Sequence, residues 1–405
     1  MTDTDGRAMP VGGIGPVPDE DEIEAVAAAL RTGIDVGPIV GEFEGRGAEL
    51  LGKRHAVMVN SGTSALQLAV DLLGCEPGDE VITSALTFSA DIAPLARAGI
   101  VSALVDVEPE TFQLDVDRIE EMIGPRTKAI LTPNLAGNCP DWDRIRAIAD
   151  EHGLLVVEDS CDVLPSSLHG TPTGTRADIV CTSFARGHAI TAAGNGGMIA
   201  TDNTEWADRC LVLRRWGRRS ETYLFGSKKE GAPRFGTLDD GTPYDLMFLF
   251  DDIGYNFSPS EAMAAYALVQ LGKLDDFNER RQARFHAIDE VLAPHEGLVT
   301  RPRTTDGVET TWMMYPFVMA DDIERTPVQR FFAERGVATR MVWSGNILRQ
   351  PGFKELPHRA PKDGFPNADR VMDHALALPT YHWMTSDDAA RVVTAAQEWV
   401  DSFGA

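Results

Sequence analysis

The segment Cys181-Thr-Ser-Phe-Ala-Arg-Gly-His-Ala-Ile-Thr-Ala-Ala-Gly-Asn-Gly-Gly-Met-Ile-Ala200 begins and ends with apolar residues and carries polar residues and glycines between them. This pattern predicts a buried strand, a polar turn and a second strand, with a glycine bend between the two strands. His188 lies in the predicted turn. Because the unperturbed pKa of histidine is about 6.5, most of an imidazole is neutral and basic near pH 7. The turn therefore carries a candidate general base.

Apolar runs alternate with helical segments on the N-terminal side of this turn. Residues 19–31 and 41–51 have helical spacing, and from residue 55 to 183 short apolar strands alternate with helices. Strand-helix-strand order with apolar strands predicts a mostly parallel α/β sheet that is covered on both faces. Ligands in such sheets bind beyond the carboxyl ends of the strands, so the residues after each strand are the candidate site.

The C-terminal half has a different pattern. Residues 214–254 lack periodicity and are rich in polar residues and glycine, which predicts a functional loop or a disordered segment. Residues 259–281 predict one long helix that bridges to a second domain. Alternating segments from 312 to 403 then predict a smaller α/β domain. The predicted division is an N-terminal arm and large domain over 1–265, and the long helix with a small domain over 266–405.

Composition limits the function classes. The chain has 405 residues and a formal net charge of −25, so general binding to nucleic acid or to an anionic membrane would have to overcome repulsion. Its five cysteines are scattered without a Cys-x-x-Cys pair, which favours reduced thiols over a disulfide framework or a zinc site. The acidic N-terminus and the lack of a long apolar run predict a cytoplasmic protein with no signal peptide and no membrane span, and the scattered cysteines predict no bound metal.

A candidate phosphate site follows the first predicted strand. Asn60-Ser61-Gly62-Thr63-Ser64-Ala65 opens a helix, so its backbone N–H groups and hydroxyls can hold a phosphate at the positive end of the helix dipole. The alternative is a plain helix N-cap without a ligand. The residues alone leave both interpretations open.

The spacing around His188 resembles a known family. Ser183-Phe184, a residue four positions later, and Gly194-Asn195-Gly196-Gly197 match the segment around the Schiff-base lysine of the DegT/DnrJ/EryC1/StrS sugar aminotransferases, which use pyridoxal phosphate. Here histidine replaces that lysine, as in the family's branch of 3-dehydratases that act on nucleotide-linked 4-keto-6-deoxyhexoses. The resemblance implies the aspartate aminotransferase-like fold (fold type I), a homodimer with shared active sites, and pyridoxal or pyridoxamine 5′-phosphate as cofactor.

The resemblance also assigns cofactor-binding residues. It implies that Asp159 pairs with the pyridine nitrogen, and that Phe88 stacks on the cofactor ring. The alternative for Phe88 is a position in the core. For the neighbouring acids, the lesser alternative is that Glu158 or Asp162 is a solvated acid. Asp162 belongs to Glu158-Asp159-Ser160-Cys161-Asp162-Val163-Leu164, which resembles the dehydratase signature although Pro165 replaces a glycine. The implied cofactor-binding residues are Gly62, Thr63, Ser64, Phe88, Asp159, Asp162, Ser183 and, from the neighbouring subunit, Asn256.

Substrate recognition is implied by two further segments. Arg214-Arg215-Trp216-Gly217-Arg218-Arg219 and the segment from Arg340 through Ser344-Gly345-Asn346 both resemble stretches of the dehydratases. Arginine forks can bind a diphosphate, although an arginine run is often a solvated face. The implied substrate-binding residues are Arg218, Arg219, Arg340 and Asn346.

The expected reaction is removal of a sugar C3 hydroxyl, with His188 as the base that takes a proton from the cofactor's C4′. A [2Fe-2S] cluster is not expected, because Ser220 and Thr222 occupy two of the cluster-binding positions and no cysteine follows Cys210. The resemblance therefore points to a cluster-free dehydratase whose amino group comes from glutamate. Two alternatives stay open: a sugar aminotransferase with altered chemistry, and a catalytically silent regulator that binds pyridoxal phosphate.

Overall fold

A central eight-stranded sheet organises the computed structural model, which describes residues 10–11, 18–228 and 234–403. The strands are β1 (His55–Val59), β2 (Glu80–Ser84), β3 (Val101–Val105), β4 (Thr127–Pro133), β5 (Leu155–Asp159), β6 (Ser167–Leu168), β7 (Thr171–Pro172), β8 (Ile179–Ser183), β9 (Gly197–Thr201), β10 (Phe235–Thr237), β11 (Pro243–Asp245), β12 (Val299–Thr300), β13 (Val308–Glu309), β14 (Met314–Met319), β15 (His358–Arg359) and β16 (Ala375–Pro379). The order in the central sheet is β1-β9-β8-β5-β4-β2-β3-β15.

This sheet is mostly parallel, as the alternating pattern predicts. Only β9 runs against its neighbours β1 and β8, and the other pairs are parallel. Successive residues of a strand enter different cores: Met58 and Ile130 pack on one face, and Val57 and Leu131 on the other. Both faces are covered by helices, which explains why these strands are apolar along their whole length.

The helices surround the central sheet and extend into the C-terminal half. They are α1 (Glu20–Thr32), α2 (Pro38–Leu50), α3 (Gly62–Leu72), α4 (Ser89–Arg97), α5 (Trp142–His152), α6 (Thr204–Arg214), α7 (Ser220–Leu224), α8 (Glu261–Gly272), α9 (Leu274–Leu292), α10 (Arg325–Glu334), α11 (Pro366–His374) and α12 (Ser386–Asp401). The first begins with a capping box, in which Asp19 and Glu22 bond to each other's backbone N–H. None of the helices in the described parts of the chain combines the length and hydropathy needed to cross a bilayer.

The segment 181–200 forms the predicted strand, turn and strand. β8 and β9 pair antiparallel from Ile179 with Thr201 to Ser183 with Gly197. Between them the chain folds back on itself, because Phe184 N–H donates to the Gly196 carbonyl and Ala192 N–H donates to the Phe184 carbonyl. We call residues 184–196 the His188 loop.

The C-terminal half departs from the predictions in two places. The described part of 214–254 contains α7 and the β10-β11 hairpin, so it is not disordered throughout, and its role as a functional loop stays a prediction. The predicted helix over 259–281 is two helices, because α8 ends at Gly272 and α9 begins at Leu274 and continues to Leu292. The apolar pattern continues through this junction and therefore conceals it.

A second sheet lies in the C-terminal part, with strand order β12-β14-β16 and antiparallel pairing. Its core includes Phe317 of β14, Phe332 of α10 and Trp399 of α12. A smaller sheet has the order β13-β6-β7. The division at residue 265 stays a prediction.

Candidate active site

A cavity of about 490 Å³ opens beyond the carboxyl ends of β1, β4, β5 and β8. This is the edge that the parallel topology predicts for a ligand. Eight of the predicted site residues line the cavity. They are Gly62, Thr63, Phe88, Asp159, Asp162, Ser183, His188 and Arg340.

The start of α3 forms one wall. Ser61 caps the helix by accepting from Ser64 N–H at 3.1 Å, and Ser64 Oγ donates to Asn60 Oδ1 at 2.6 Å. Ser64 itself is therefore engaged within the cap and does not line the cavity. The N–H groups of Gly62 and Thr63 belong to the first helical turn, where no intrahelical carbonyl can accept from them. Ser61 therefore caps α3, and the cap still leaves donors at the positive end of the helix, so the phosphate site stays a prediction.

Two glycines allow this wall to form. A Cβ on Gly62 would lie 2.7 Å from Ser183 Cβ, closer than such atoms pack. A Cβ on Gly197 would overlap the carbonyl of Ser61. Glycine at these positions lets β8 and β9 approach the first turn of α3, so that Ser183 and the helix N-terminus share one concave surface.

Asp159 lies at the end of β5, 5% exposed, and accepts from Cys161 N–H at 2.9 Å. Burial raises the pKa of its carboxyl group. Asp91 of α4 lies next to it and is fully buried, with Thr87 Oγ1 donating to its Oδ2 at 2.6 Å. Burial and the neighbouring Asp159 raise the pKa of Asp91 well above its usual range. The Asp159 carboxyl group at the end of β5, with Asp91 of α4 beside it, can pair with a protonated nitrogen base at this point.

Asp91 was not predicted from the sequence. An acid in the first turn of a helix is usually explained by the helix dipole, and only the tertiary structure shows that Asp159 lies beside it. The alternatives for the other acids are wrong. Glu158 is fully buried and accepts from Asn134, Ser160 and Thr173, and Asp162 is 8% exposed, so neither is a solvated acid.

His188 faces a carboxylate across the cavity. Its Nδ1 lies 3.5 Å from Asp162 Oδ1, and the imidazole is 21% exposed. Within the described residues, no hydrogen bond is formed by this Nδ1. On its other oxygen, Asp162 accepts from Ala136 N–H at 3.4 Å. The arrangement places an imidazole and a carboxylate side by side at the cavity, two groups that can transfer protons to and from a ligand.

Two aromatic residues lie at the cavity. Phe88 precedes α4 and is 54% exposed, so the alternative of a core position for this ring is wrong. Trp343 lines the cavity with a left-handed backbone, at a φ of 44°. Either ring can stack on a planar ligand, and Trp343 was not predicted because nothing in its local sequence separates it from a core tryptophan.

Two arginines lie at the cavity without a counter-ion among the described residues. Arg340 lies over the ring of Tyr381 at 5.5 Å, and Arg186 belongs to the His188 loop. Both are exposed, and neither forms an ion pair with a described carboxylate. In so acidic a chain, unpaired guanidinium groups at a cavity suit an anionic ligand. Arg186 was not predicted, although it lies two residues before His188.

Besides Ser64, four of the predicted residues do not line the cavity of this single chain. The Asn346 side chain accepts from Leu348 N–H and donates to Asp369, so it caps a turn. Arg219 forms a two-bond ion pair with Asp251 at 2.6 and 2.7 Å. Arg218 packs over Trp216, and the Asn256 backbone carbonyl accepts from Asn60. Their roles toward a ligand stay predictions.

The lysines and cysteines complete the inventory of nucleophiles and metal ligands. No lysine of the described residues lines the cavity; the most buried of them, Lys53, pairs with Asp202 at 2.9 Å. All five cysteines are free thiols. Within the described ranges, no group of three or more His, Cys, Asp or Glu side chains could hold a metal ion.

Comparisons with known proteins agree with this geometry. Residues 16–397 match the model of the DegT/DnrJ/EryC1/StrS aminotransferase family. The dTDP-4-dehydro-2,6-dideoxy-D-glucose 3-dehydratase of Saccharopolyspora spinosa is 35% identical over 97% of this chain and 87% of its own length. The GDP-perosamine synthase of Caulobacter vibrioides is 30% identical over 90% of each chain.

Solved structures give the same fold. The E. coli GDP-4-keto-6-deoxy-D-mannose-3-dehydratase with bound hydrated pyridoxal phosphate has a TM-score of 0.85 and 25% identity, over 96% of this chain and 99% of its own. A histidine-to-asparagine variant of GDP-4-keto-6-deoxymannose-3-dehydratase, with bound GDP-perosamine, has the same TM-score and identity. The match covers 96% of this chain and 100% of that variant. The predicted fold type I is therefore confirmed. Because the family model matches nearly the whole chain, this chain belongs to the DegT/DnrJ/EryC1/StrS aminotransferase family, a family of pyridoxal-phosphate enzymes.

Proposed function

We propose that this chain is a C3-dehydratase of a 4-keto-6-deoxyhexose or a related keto sugar in deoxysugar biosynthesis, working without an iron-sulfur cluster. One observation carries the proposal: at the position of the family's lysine, the cavity holds His188 beside the Asp162 carboxylate. Imidazole cannot form the lysine's covalent bond to the cofactor, but it can transfer a proton. The 35% identity to a sugar 3-dehydratase supports the same reaction.

The cavity fits pyridoxal or pyridoxamine phosphate held without a covalent bond. The N–H groups of Gly62 and Thr63 and the Ser183 hydroxyl would bind the phosphate. The buried carboxyl group of Asp159 would pair with the pyridine nitrogen, and Phe88 would cover the ring. When bound, the pyridoxamine form would supply an amino group for the keto sugar, and the cofactor ring would supply an electron sink.

His188, assisted by Asp162, would take the proton from the cofactor's C4′. The carboxylate beside Nδ1 favours the tautomer that carries a hydrogen there, which leaves Nε2 to accept a proton. Once Nε2 is protonated, Asp162 stabilises the imidazolium. A neutral histidine suits this base role because a free lysine near pKa 10.4 would already be protonated.

The substrate is proposed to be a nucleotide-linked keto sugar, with glutamate as the amino donor. The unpaired guanidinium groups of Arg186 and Arg340 suit the phosphates of the first or the carboxylates of the second. The S. spinosa relative is named for a dTDP sugar, which supports the nucleotide. Asn346 would act near the sugar through the turn that it caps.

A homodimer is proposed to complete the site. Phe88 at the cavity is 54% exposed, and the 214–254 region exposes Trp216 at 41%, Phe248 at 49%, Phe250 at 54% and Ile253 at 94%. Trp216, Phe248 and Phe250 are grouped around Arg218, and an exposed apolar group of this kind is typical of an interface. Asn256, Arg218 and Arg219 lie in or next to this region, so a second copy could bring them to the neighbouring cavity.

The test is a product assay with four components. Protein, pyridoxal phosphate and glutamate are incubated with a panel of nucleotide-linked 4-keto sugars, and mass spectrometry follows the sugar. The expected result is a sugar that has lost its C3 oxygen atom, with glutamate supplying the two electrons and ending as 2-oxoglutarate and ammonia. Gain of an amine would replace the proposal by a sugar aminotransferase, and cofactor binding without a sugar product would leave a silent regulator.

The aminotransferase is the second candidate because the C. vibrioides relative is named a GDP-perosamine synthase. An ordinary aminotransferase needs an amine at the cofactor. Borohydride reduction of the protein with pyridoxal phosphate would trap such an amine, and labelling of the unmodified chain would favour this candidate. No labelling is expected, since no described lysine lines the cavity.

A further inference from the structure

A buried arginine of α9 contacts the backbone of the His188 loop. Arg281 is 1% exposed, and its Nη2 donates to the carbonyl of His188 at 2.8 Å. The same nitrogen lies 3.5 Å from the Ala189 carbonyl and 3.2 Å from Nδ1 of His382. His382 follows β16 of the second sheet. One guanidinium group therefore links helix α9, the His188 loop and the segment that follows the second sheet.

Ordinary packing does not explain this arginine. Among the described residues Arg281 has no carboxylate partner, and its Nε has no hydrogen bond. Burial lowers the pKa of Arg281 to about 10, so the group stays charged at neutral pH. Burying an unpaired charge is unfavourable, and an apolar side chain of similar size would avoid this penalty. The charge is maintained against a free-energy cost, which indicates a specific task.

The third contact of Arg281 is with His382, whose Nδ1 can accept a hydrogen bond from the guanidinium group. His382 is stacked on Phe277 with ring centroids 3.8 Å apart. Burial and the charge of Arg281 lower the pKa of His382 to about 2, so its ring is neutral. A neutral ring with Nδ1 as acceptor carries its hydrogen on Nε2. His382 thus orients the guanidinium without competing for its charge.

We propose that Arg281 is a positioning residue for His188, holding the loop so that the imidazole faces Asp162 and the cofactor cavity. The proposal rests on the proposed role of His188 but concerns the placement of position 188, whichever side chain occupies it. A guanidinium suits the task because its planar fork offers several donors in fixed directions, whereas a lysine ammonium is more strongly hydrated and less directional.

The placement of position 188 can be measured without sugar turnover. In a His188→Lys background, the introduced amine reaches pyridoxal phosphate only if the loop is held correctly, and borohydride reduction followed by mass spectrometry counts the labelled protein. Adding Arg281→Met should slow labelling about tenfold or more, while Arg281→Lys should restore part of the rate. The matched control is Arg284→Met. Arg284 lies on the same helix and donates to the carbonyls of Tyr381 and Met384, but not to the His188 loop.

A second measurement uses the unlabelled, cofactor-free chain. Amide hydrogen exchange over residues 185–192 should accelerate in Arg281→Met and stay unchanged in Arg284→Met, with both variants compared at equal distance from their thermal midpoints. His382→Phe keeps the stacking on Phe277 but removes the acceptor, and it should accelerate the same amides to a smaller degree.

Either of two results would overturn the proposal: equal labelling rates in the Arg281 and Arg284 variants, or unchanged exchange of the His188 loop in Arg281→Met. If the His188→Lys parent takes up no label, the cofactor assignment fails, and hydrogen exchange alone decides whether Arg281 holds the loop. Failure of the sugar assay with normal labelling would instead reject the dehydratase and leave the role of Arg281 intact.

Discussion

At the scale of single residues, the imidazole of His188 and the carboxylate of Asp162 form the pair on which the proposed chemistry depends. His188→Asn keeps a side chain of similar size and polarity but removes the base. We expect loss of dehydration by about 10²–10⁴-fold, the usual contribution of a general base. Cofactor binding, followed by quenching of tryptophan fluorescence, should change by less than about threefold, because a carboxamide fits the same space. Full turnover in this variant would remove histidine from the base role.

Asp162→Asn tests the second member of the pair. The amide cannot stabilise the imidazolium and no longer favours a hydrogen on His188 Nδ1, so kcat should fall by about tenfold or more with little change in KM. Steady-state kinetics with the nucleotide sugar gives this split. A rise in KM with unchanged kcat would show that Asp162 binds the ground state and does not assist the proton transfer.

Asp91 gives a prediction on the pH dependence of stability. Its raised pKa means that the folded chain keeps this proton to a higher pH than the unfolded chain does. The stabilising contribution of the protonated group is complete below the unfolded pKa of about 3.9, and it is lost as pH rises through the folded pKa. Asp91→Asn removes this loss, so the stability of the variant relative to the parent should increase from pH 5 to pH 8. Urea unfolding of the cofactor-free proteins measures it, and a difference that is constant with pH would contradict the prediction.

Most cavity residues that belong to a motif could be predicted from the sequence, although Arg186 was missed two residues before His188. Asp159 and Ser183 end strands of the central sheet and His188 lies in the loop after β8, so topology places them together. Arg281 and His382 come from the C-terminal half, about 90 and 190 residues away from His188 in sequence, and only tertiary packing brings them to the loop.

At the scale of elements, the α/β alternation predicted the central sheet because buried parallel strands are apolar throughout. The junction of α8 and α9 at Lys273 could not be predicted in the same way. Lys273 bonds to Asp19 and Glu22 of the first helix, so a tertiary contact rather than local propensity marks the break. The hairpin of β10 and β11 was missed because its strands are three residues long and largely exposed.

The contact between β9 and α3 gives an element-scale prediction. Gly197→Ala would push a Cβ into the Ser61 carbonyl and displace the first turn of the helix that faces the cavity. We expect destabilisation of about 1–3 kcal/mol, the usual range for overpacking. Affinity for inorganic phosphate or pyridoxal phosphate should also fall. Gly272→Ala is the control, because a Cβ at Gly272 meets no atom within 4 Å. Equal stability and affinity in both variants would show that β9 does not set the position of α3.

At the scale of the whole molecule, the chain carries 62 acidic and 37 basic residues, yet leaves Arg186 and Arg340 at the cavity without an ion pair among the described residues. An overall negative field repels anions, so an anionic substrate depends on local cations. Arg186→Ala should therefore weaken binding of the nucleotide sugar, and raising the salt concentration should weaken it in the parent more than in the variant. Calorimetric titration at two salt concentrations measures both effects. An unchanged salt dependence in the variant would place Arg186 outside the binding site.

The proposed dimer can be tested by combining two inactive chains. If Asn256 acts in the neighbouring subunit's site, a heterodimer of a His188→Asn chain and an Asn256→Ala chain has one site with both substitutions and one site with neither. Purified through two different affinity tags, it should show about half of the parent activity, whereas each variant homodimer stays close to background. If Asn256 served its own chain, both sites of the heterodimer would carry one substitution and activity would not return. A dimer by light scattering with an inactive heterodimer would therefore contradict sharing of the site, while a monomer would contradict the exposed apolar surface around Ile253 as an interface between copies.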